Sequence, residues 1–177
     1  KNGNLIPVDI SAIVLEYNNR PAVMNIVRDL SDRKLIEEEL SQSEERFISA
    51  FEYAPIGMAI ISIDGKWLKV NQSVTNIVGY SEEELMNKTF QDITHPDDLE
   101  LDLAHVKEML DEEISTYSME KRYINKNGQI VWVLLSVSLL RDSQSNPLYF
   151  ISQIQDITER KFVENSLRDS EMKYRQL

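Results

Sequence analysis

The chain has 177 residues, and its 30 Asp and Glu against 19 Lys and Arg give a net charge of −11; such a surface repels phosphate backbones and anionic head groups, which disfavours nucleic acid and membrane surfaces as partners. It has no cysteine, which excludes disulfides, thiolate metal sites, cysteine nucleophiles and thiol adducts and fits a cytoplasmic segment. No apolar run approaches the roughly 18 residues of a membrane span, the longest, 131–140, being broken by Ser136 and Ser138, and no secretory signal opens the sequence, so any membrane anchor of the parent protein is expected elsewhere.

Residues 4–15 and 21–28 are apolar and β-branched, with Asn18-Asn19-Arg20-Pro21 between them, which predicts two antiparallel strands joined by a turn. Alone this hairpin is half a core. It exposes either its Ile6, Val8, Ile10 side or its Leu5, Ile13, Leu15 side and calls for a further sheet edge or chain. From Ser31 the period changes: Ile36, Leu40, Ser43, Phe47 and Ala50 alternate spacings of four and three, with glutamates outside. That is a helix with a heptad seam. A stripe this narrow needs a partner, either a second chain in a parallel coiled coil or the local sheet, and two heptads are too short to hold a coiled coil unaided.

The helix should stop near Tyr53-Ala54-Pro55, because the residue before proline is pushed out of the helical region. Residues 58–63 read as a strand, Asp64-Gly65 as a tight turn and 67–70 as the returning strand. Asn71 caps a short helix over 73–78 that Gly79 ends, and Ser81-Glu82-Glu83-Glu84 is a capping box opening another. Thr94-His95-Pro96-Asp97-Asp98 opens the longest internal helix, with proline in the first turn and carboxylates at the positive end of the dipole. Leu99, Leu103, Val106 and Leu110 form its predicted buried stripe. Three strands follow, at about 115–125, 130–141 and 148–157, and this segregation of strands and helices predicts an α+β domain on an antiparallel sheet.

The end of the chain repeats its beginning. At an offset of 127, Asp156 meets Asp29, Arg160 and Lys161 meet Arg33 and Lys34, Glu164 meets Glu37, and Leu167 meets Leu40. At an offset of 125, Lys126-Asn127-Gly128 meets Lys1-Asn2-Gly3. A repeat this long has the size of a domain. The organisation predicted is the closing β-hairpin of a preceding unit over 1–30, a helical linker over 31–50, a complete domain over 44–158 and a second helical linker over 159–177. Ile36, Leu40 and Phe47 in one linker, with Val163, Leu167 and Tyr174 in the other, make the predicted seam of a homodimer.

These residues resemble a PAS domain with its C-terminal PAC motif. The resemblance is carried by Ala54-Pro55-Ile56-Gly57-Met58, Asp64-Gly65, Asn71, Gly79-Tyr80, Glu84-Leu85, His95-Pro96-Asp97-Asp98, Glu120-Lys121-Arg122-Tyr123, Asn127-Gly128, Trp132-Val133 and Asp156-Ile157-Thr158-Glu159-Arg160, in order over 44–161. It implies a five-stranded antiparallel sheet cupped by short helices around a small cavity. It also implies a place in a multidomain signalling protein, most often a sensor histidine kinase, with a cyclic-di-nucleotide enzyme as the alternative. By family geometry the cavity would be lined by Ile61, Ile63, Val74, Val78, Phe90, Leu103, Val106, Tyr123, Val133, Leu135, Ser152 and Ile154. Either these fill the core and leave a ligand-free spacer unit, or a small ligand is anchored by Tyr123 or Ser152.

No cofactor is predicted. The flavin-adduct relatives need a cysteine where this chain has Lys88-Thr89-Phe90, which excludes the adduct. Haem would need an axial ligand from the long helix; His95 reads as a cap, and His105, the one candidate, reads better as a boundary residue. No convergent nucleophile, base and oxyanion groups occur, so the segment is read as non-catalytic and metal-free. Where the last strand meets the final helix, Thr158 is placed to cap the helix and Asp156 to accept hydrogen bonds. Asp156, Ile157 and Thr158 are therefore the expected relay, turning a change of strand tilt into a shift of the seam.

Overall fold

The computed structural model describes residues 6–17 and 20–175, and the chain divides into two compact units, Lys1–Ser49 and Ala50–Leu177. In the first, β1 (Val8–Tyr17) and β2 (Arg20–Asp29) pair antiparallel in continuous register from Val8↔Asp29 to Tyr17↔Arg20. Both faces are open: Ile10 is 62% exposed on one and Ile13 48% on the other. Helix α1 (Ser31–Glu52) follows at once. The Leu30 N–H donates to the Pro7 carbonyl (2.9 Å), the Lys34 N–H donates to the Leu30 carbonyl (3.0 Å), and Asp29 accepts from the Ser31 N–H (2.8 Å).

The second unit is a five-stranded antiparallel sheet in the order β4-β3-β7-β6-β5. Its strands are β3 (Gly57–Ser62), β4 (Trp67–Val70), β5 (Thr116–Ile124), β6 (Ile130–Arg141) and β7 (Pro147–Asp156). Between β4 and β5 lie α2 (Gln72–Val78), α3 (Glu82–Met86), α4 (Phe90–Ile93) and α5 (Pro96–Leu110), and α6 (Thr158–Arg175) leaves β7. The local signals act as their chemistry dictates. Gly65 takes φ 89° in the β3–β4 turn, the capping box of Ser81 and Glu84 is closed at both bonds, and His95 accepts from the Asp97 N–H at the start of α5. The one-turn helix α4 carried no signal that the sequence reading used.

The inner face of the sheet is made by alternation. Tyr117, Met119, Lys121 and Tyr123 of β5 and Val131, Val133, Leu135 and Val137 of β6 are buried, while their neighbours turn outward. Asn71 fixes the entrance to this core. Its Oδ1 accepts from the Met58 N–H (2.9 Å) and the Val74 N–H (3.2 Å), and its Nδ2 donates to the carbonyls of Phe51 (2.9 Å) and Ile56 (3.0 Å). One buried side chain thus joins the end of α1, the start of β3 and the start of α2. Gly57 lets β3 approach closely, since a Cβ there would stand 2.9 Å from the Ile154 carbonyl oxygen.

The buried stripe of α5 is rotated from the one predicted. Asp102 and Met109 are its fully buried members, with Leu99, Val106 and Leu110 packed beside them, whereas Leu103 is 40% exposed. Asp102 lies three residues after Leu99 and four before Val106, on the inner line of the helix, and as a charged residue it was passed over for the leucine beside it.

Replacing Asn71 by Ala strands up to four backbone groups in the core, and urea unfolding should show a loss of about 2–4 kcal/mol with little change in m-value; a loss below about 0.5 kcal/mol would show that the four bonds do not organise the entrance.

Candidate functional site

The cup of the second unit encloses a cavity of about 20 Å³, lined by Ile61, Trp67, Phe90, Val106, Tyr117, Lys121, Tyr123, Leu135, Val137, Phe150 and Ser152. That is space for roughly one water molecule. Of the predicted lining, Ile61, Phe90, Val106, Tyr123, Leu135 and Ser152 meet there. Val74, Val78, Val133 and Ile154 are buried in the surrounding core, and Ile63 packs against it. Leu103 stands outside, on the exposed flank of α5, because the helix turns Asp102 inward in its place. Trp67 and Phe150, which the sequence reading left out, supply much of the bulk that fills the cup.

The principal group missed is Lys121. Its ammonium is buried, donating to Asp102 Oδ2 (2.6 Å) and Thr94 Oγ1 (3.1 Å) and lying 4.4 Å from the Tyr123 ring centroid. The Tyr117 hydroxyl donates to the other oxygen of Asp102 at 2.7 Å. Burial pushes the Lys121 ammonium below its usual pKa against the pull of Asp102; burial first, then Asp102, pushes the Tyr117 phenol up. Strand parity could have revealed it, since Lys121 shares the side of β5 that carries Tyr117, Met119 and Tyr123. The group locks β5 onto α5, and its polar atoms are spent on one another.

The next residue of β5 repeats the attachment on the opposite face. Arg122 holds Asp98 through Nε (2.9 Å) and Nη2 (2.7 Å), and its backbone N–H donates to Asp98 as well (2.7 Å). These bonds, the guanidinium's first, hold the Asp98 carboxyl below its usual pKa. The Arg122 guanidinium lies 5.4 Å from the centroid of Trp132, and Lys161 of α6 lies 5.4 Å from the same ring.

Trp132 is also where α6 is fastened. The Ile157 N–H donates to the Trp132 carbonyl (2.9 Å) and the Ile157 carbonyl accepts from the Lys161 N–H (2.9 Å), so Ile157 ends the β ladder and begins the helix. With its carbonyl engaged, the Trp132 N–H is taken instead by the Thr158 hydroxyl (3.0 Å). Asp156 accepts from the Thr158 N–H (2.8 Å). Thr158 is therefore a strand-to-helix tie rather than the helix cap its position suggested. Glu120 of β5 pairs with both Arg160 and Lys161.

The same junction stands between β2 and α1, with one difference. Pro7 occupies the place of Trp132 and has no N–H, so the Ser31 hydroxyl turns to its own Asp29 (2.6 Å). Of the predicted seam, Ile36, Leu40, Phe47, Val163 and Leu167 are exposed in the single chain; the Tyr174 side chain lies outside the described residues. His105 stacks on Tyr117 (5.0 Å between centroids) and bonds Glu108 (3.1 Å). Among the described residues no cluster of three or more metal-ligating side chains occurs, and no helix is long and apolar enough to cross a membrane.

Residues 68–154 match the family description of the PAS fold. The chain is 48% identical over 152 residues, 86% of its length, to the probable diguanylate cyclase DgcE of Escherichia coli (strain K12). It is 28% identical over 128 residues, 72% of its length, to the sensor histidine kinase TmoS of Ectopseudomonas mendocina. It spans 13% of each of these relatives. Among solved structures, a sensory box histidine kinase/response regulator from Burkholderia thailandensis E264 is 29% identical with a TM-score of 0.59, covering 75% of this chain and 99% of that one. A PAS domain from Colwellia psychrerythraea shares the fold at 19% identity and a TM-score of 0.60, over 65% of this chain and 97% of its own.

Removing one partner of the buried pair leaves an uncompensated charge, so Asp102→Ala should cost about 3–5 kcal/mol in chemical unfolding, whereas Asp102→Leu with Lys121→Met and Tyr117→Phe, which removes all three polar partners, should lie near neutral; equal losses for both would contradict the ion-pair assignment. Asp98 has a depressed native pKa, so its contribution is present above the ordinary aspartate pKa of about 3.9 and lost as pH falls through the native value. The stability deficit of Asp98→Asn should therefore be greatest at neutral pH and shrink on acidification, and a deficit independent of pH would refute that account.

Proposed function

The chain belongs to the PAS family, and from that premise we propose that its complete domain is a sensor and signal-relay module of a multidomain signalling protein, working as a homodimer through its linker helices. The observation that carries this reading is the fastening of α6 to the sheet. The Thr158 hydroxyl on the Trp132 N–H and Glu120 on Arg160 and Lys161 make the first turn of the helix follow β5 and β6. A shift of those strands then rotates Val163 and Leu167, the exposed seam that would face a second copy.

Signalling of this kind requires two arrangements of the junction with different affinity for the input. A cavity of about 20 Å³ leaves room for little more than a water-sized guest, which keeps the ligand-free spacer as the alternative. Chemistry is assigned to an output domain, a histidine kinase by the sequence reading. The 48% identity to a probable diguanylate cyclase supports the second reading, a cyclase. A cytoplasmic location is part of the proposal.

In the full-length protein, Thr158→Val and Glu120→Gln should each change basal output by about fivefold or more, in the range of ordinary allosteric couplings, with the melting curve of the domain little altered. Output is read as autophosphorylation or as cyclic-di-nucleotide synthesis, and wild-type output in both variants would end the relay assignment.

A further inference from the structure

The two linker helices carry one seam in two electrostatic settings. At the offset of 127, Ile36 and Leu40 of α1 fall on Val163 and Leu167 of α6, and all four are exposed. Ser43 falls on Ser170. The alternating spacing makes Ile36 and Val163 d positions of a heptad, and Leu40 and Leu167 a positions. The apolar content of the two seams is therefore matched, and what differs is the residues beside them.

In a parallel pair of helices each g residue faces the e residue five places further on in its partner, and the charges there set the choice of partner. For α1 these contacts are Asp32 with Glu37 and Glu39 with Glu44, each made twice by the symmetry of a dimer. All four residues are exposed acids. For α6 they are Glu159 with Glu164 and Ser166 with Glu171. The first contact of each set is alike, since both bring two acids together and both blunt the second with a base of its own helix: Arg33 bonds Glu37 at 2.7 Å, and Lys161 lies 3.7 Å from Glu164. The second contact is not alike. Neither Glu39 nor Glu44 has a base three or four places away on its helix, whereas the counterpart of Glu39 is the neutral Ser166. Like charges so placed repel, and they flank Leu40, the central apolar layer of the seam.

We propose that two copies of the chain meet along α6, and that α1 is kept from pairing with the α1 of the other copy by Glu39 facing Glu44. The acidic flank is a selectivity device, a repulsive element that excludes one partner. It concentrates the contact between copies at the output end of the domain. The proposal rests on the relay reading, whose homodimer it resolves into one contact that closes and one that stays apart.

Because the chain has no cysteine, a single thiol reports on each seam. Leu40→Cys or Leu167→Cys is introduced into the 177-residue chain, and the rate of interchain disulfide formation with diamide is measured, each rate being divided by the reactivity of that thiol toward a monofunctional maleimide. At low ionic strength Leu167→Cys should cross-link at least about threefold faster than Leu40→Cys, and the gap should narrow at about 1 M salt. Adding Glu39→Ser, the residue of the matching position, should speed the Leu40→Cys chain, and adding Ser166→Glu should slow the Leu167→Cys chain. Equal rates at low salt, or rates indifferent to both exchanges, would overturn the selectivity and leave the homodimer standing. Cross-links at neither position would end the homodimer itself, and the proposal with it.

Discussion

Everything in the second unit is referred to the double attachment of β5 to α5. Consecutive residues of a strand face opposite ways, so Lys121 reaches into the cup and Arg122 lies outside it, yet both end on aspartates four residues apart on one helix, Asp102 and Asp98. A slip of one residue would drive the guanidinium into the core and the ammonium out of it, so register is held by charge as well as by pattern. Burying such a pair contributes little net stability; what it supplies is uniqueness of arrangement. Through Arg122 and Glu120 the same strand places the groups that meet Trp132 and the first turn of α6.

What was readable in the sequence was local. Gly65, Gly79, the box of Ser81 and Glu84, and Pro96 each act within a few residues, and each does what its chemistry predicts. The five-stranded sheet and the repeat were likewise legible, because alternation and self-similarity survive without knowledge of contacts. Half of the predicted cavity lining lies elsewhere in the core or on its margin, since the lining depends on how deep each strand sits, and Leu103 was chosen over Asp102 because a leucine is the ordinary choice for a buried position. Lys121 was overlooked for the same reason: a charge is read as surface until the partner that neutralises it is known, and that partner is nineteen residues away.

Thr158 shows a subtler limit. Its position beside a helix start made it a cap by type, but the donor it serves belongs to another strand, left unpaired because Ile157 has already given its carbonyl to the helix. Only the three-dimensional ladder reveals that vacancy of partners. The family resemblance pointed to Asp156, Ile157 and Thr158 as a group without saying which atom bonds which.

The contrast between Pro7 and Trp132 bears on mechanics. Two links built to one plan and joined in series share a load unequally, and deformation gathers in the more compliant one. At the first link the strand offers no N–H and no aromatic ring to the helix that follows; at the second it offers both, with two cations close to the ring. The two linker helices are consequently not attached alike: α6 is tied to its strand by one hydrogen bond, from the Trp132 N–H to the Thr158 hydroxyl, that α1 lacks at Pro7, an asymmetry of attachment that the symmetry of the repeat conceals.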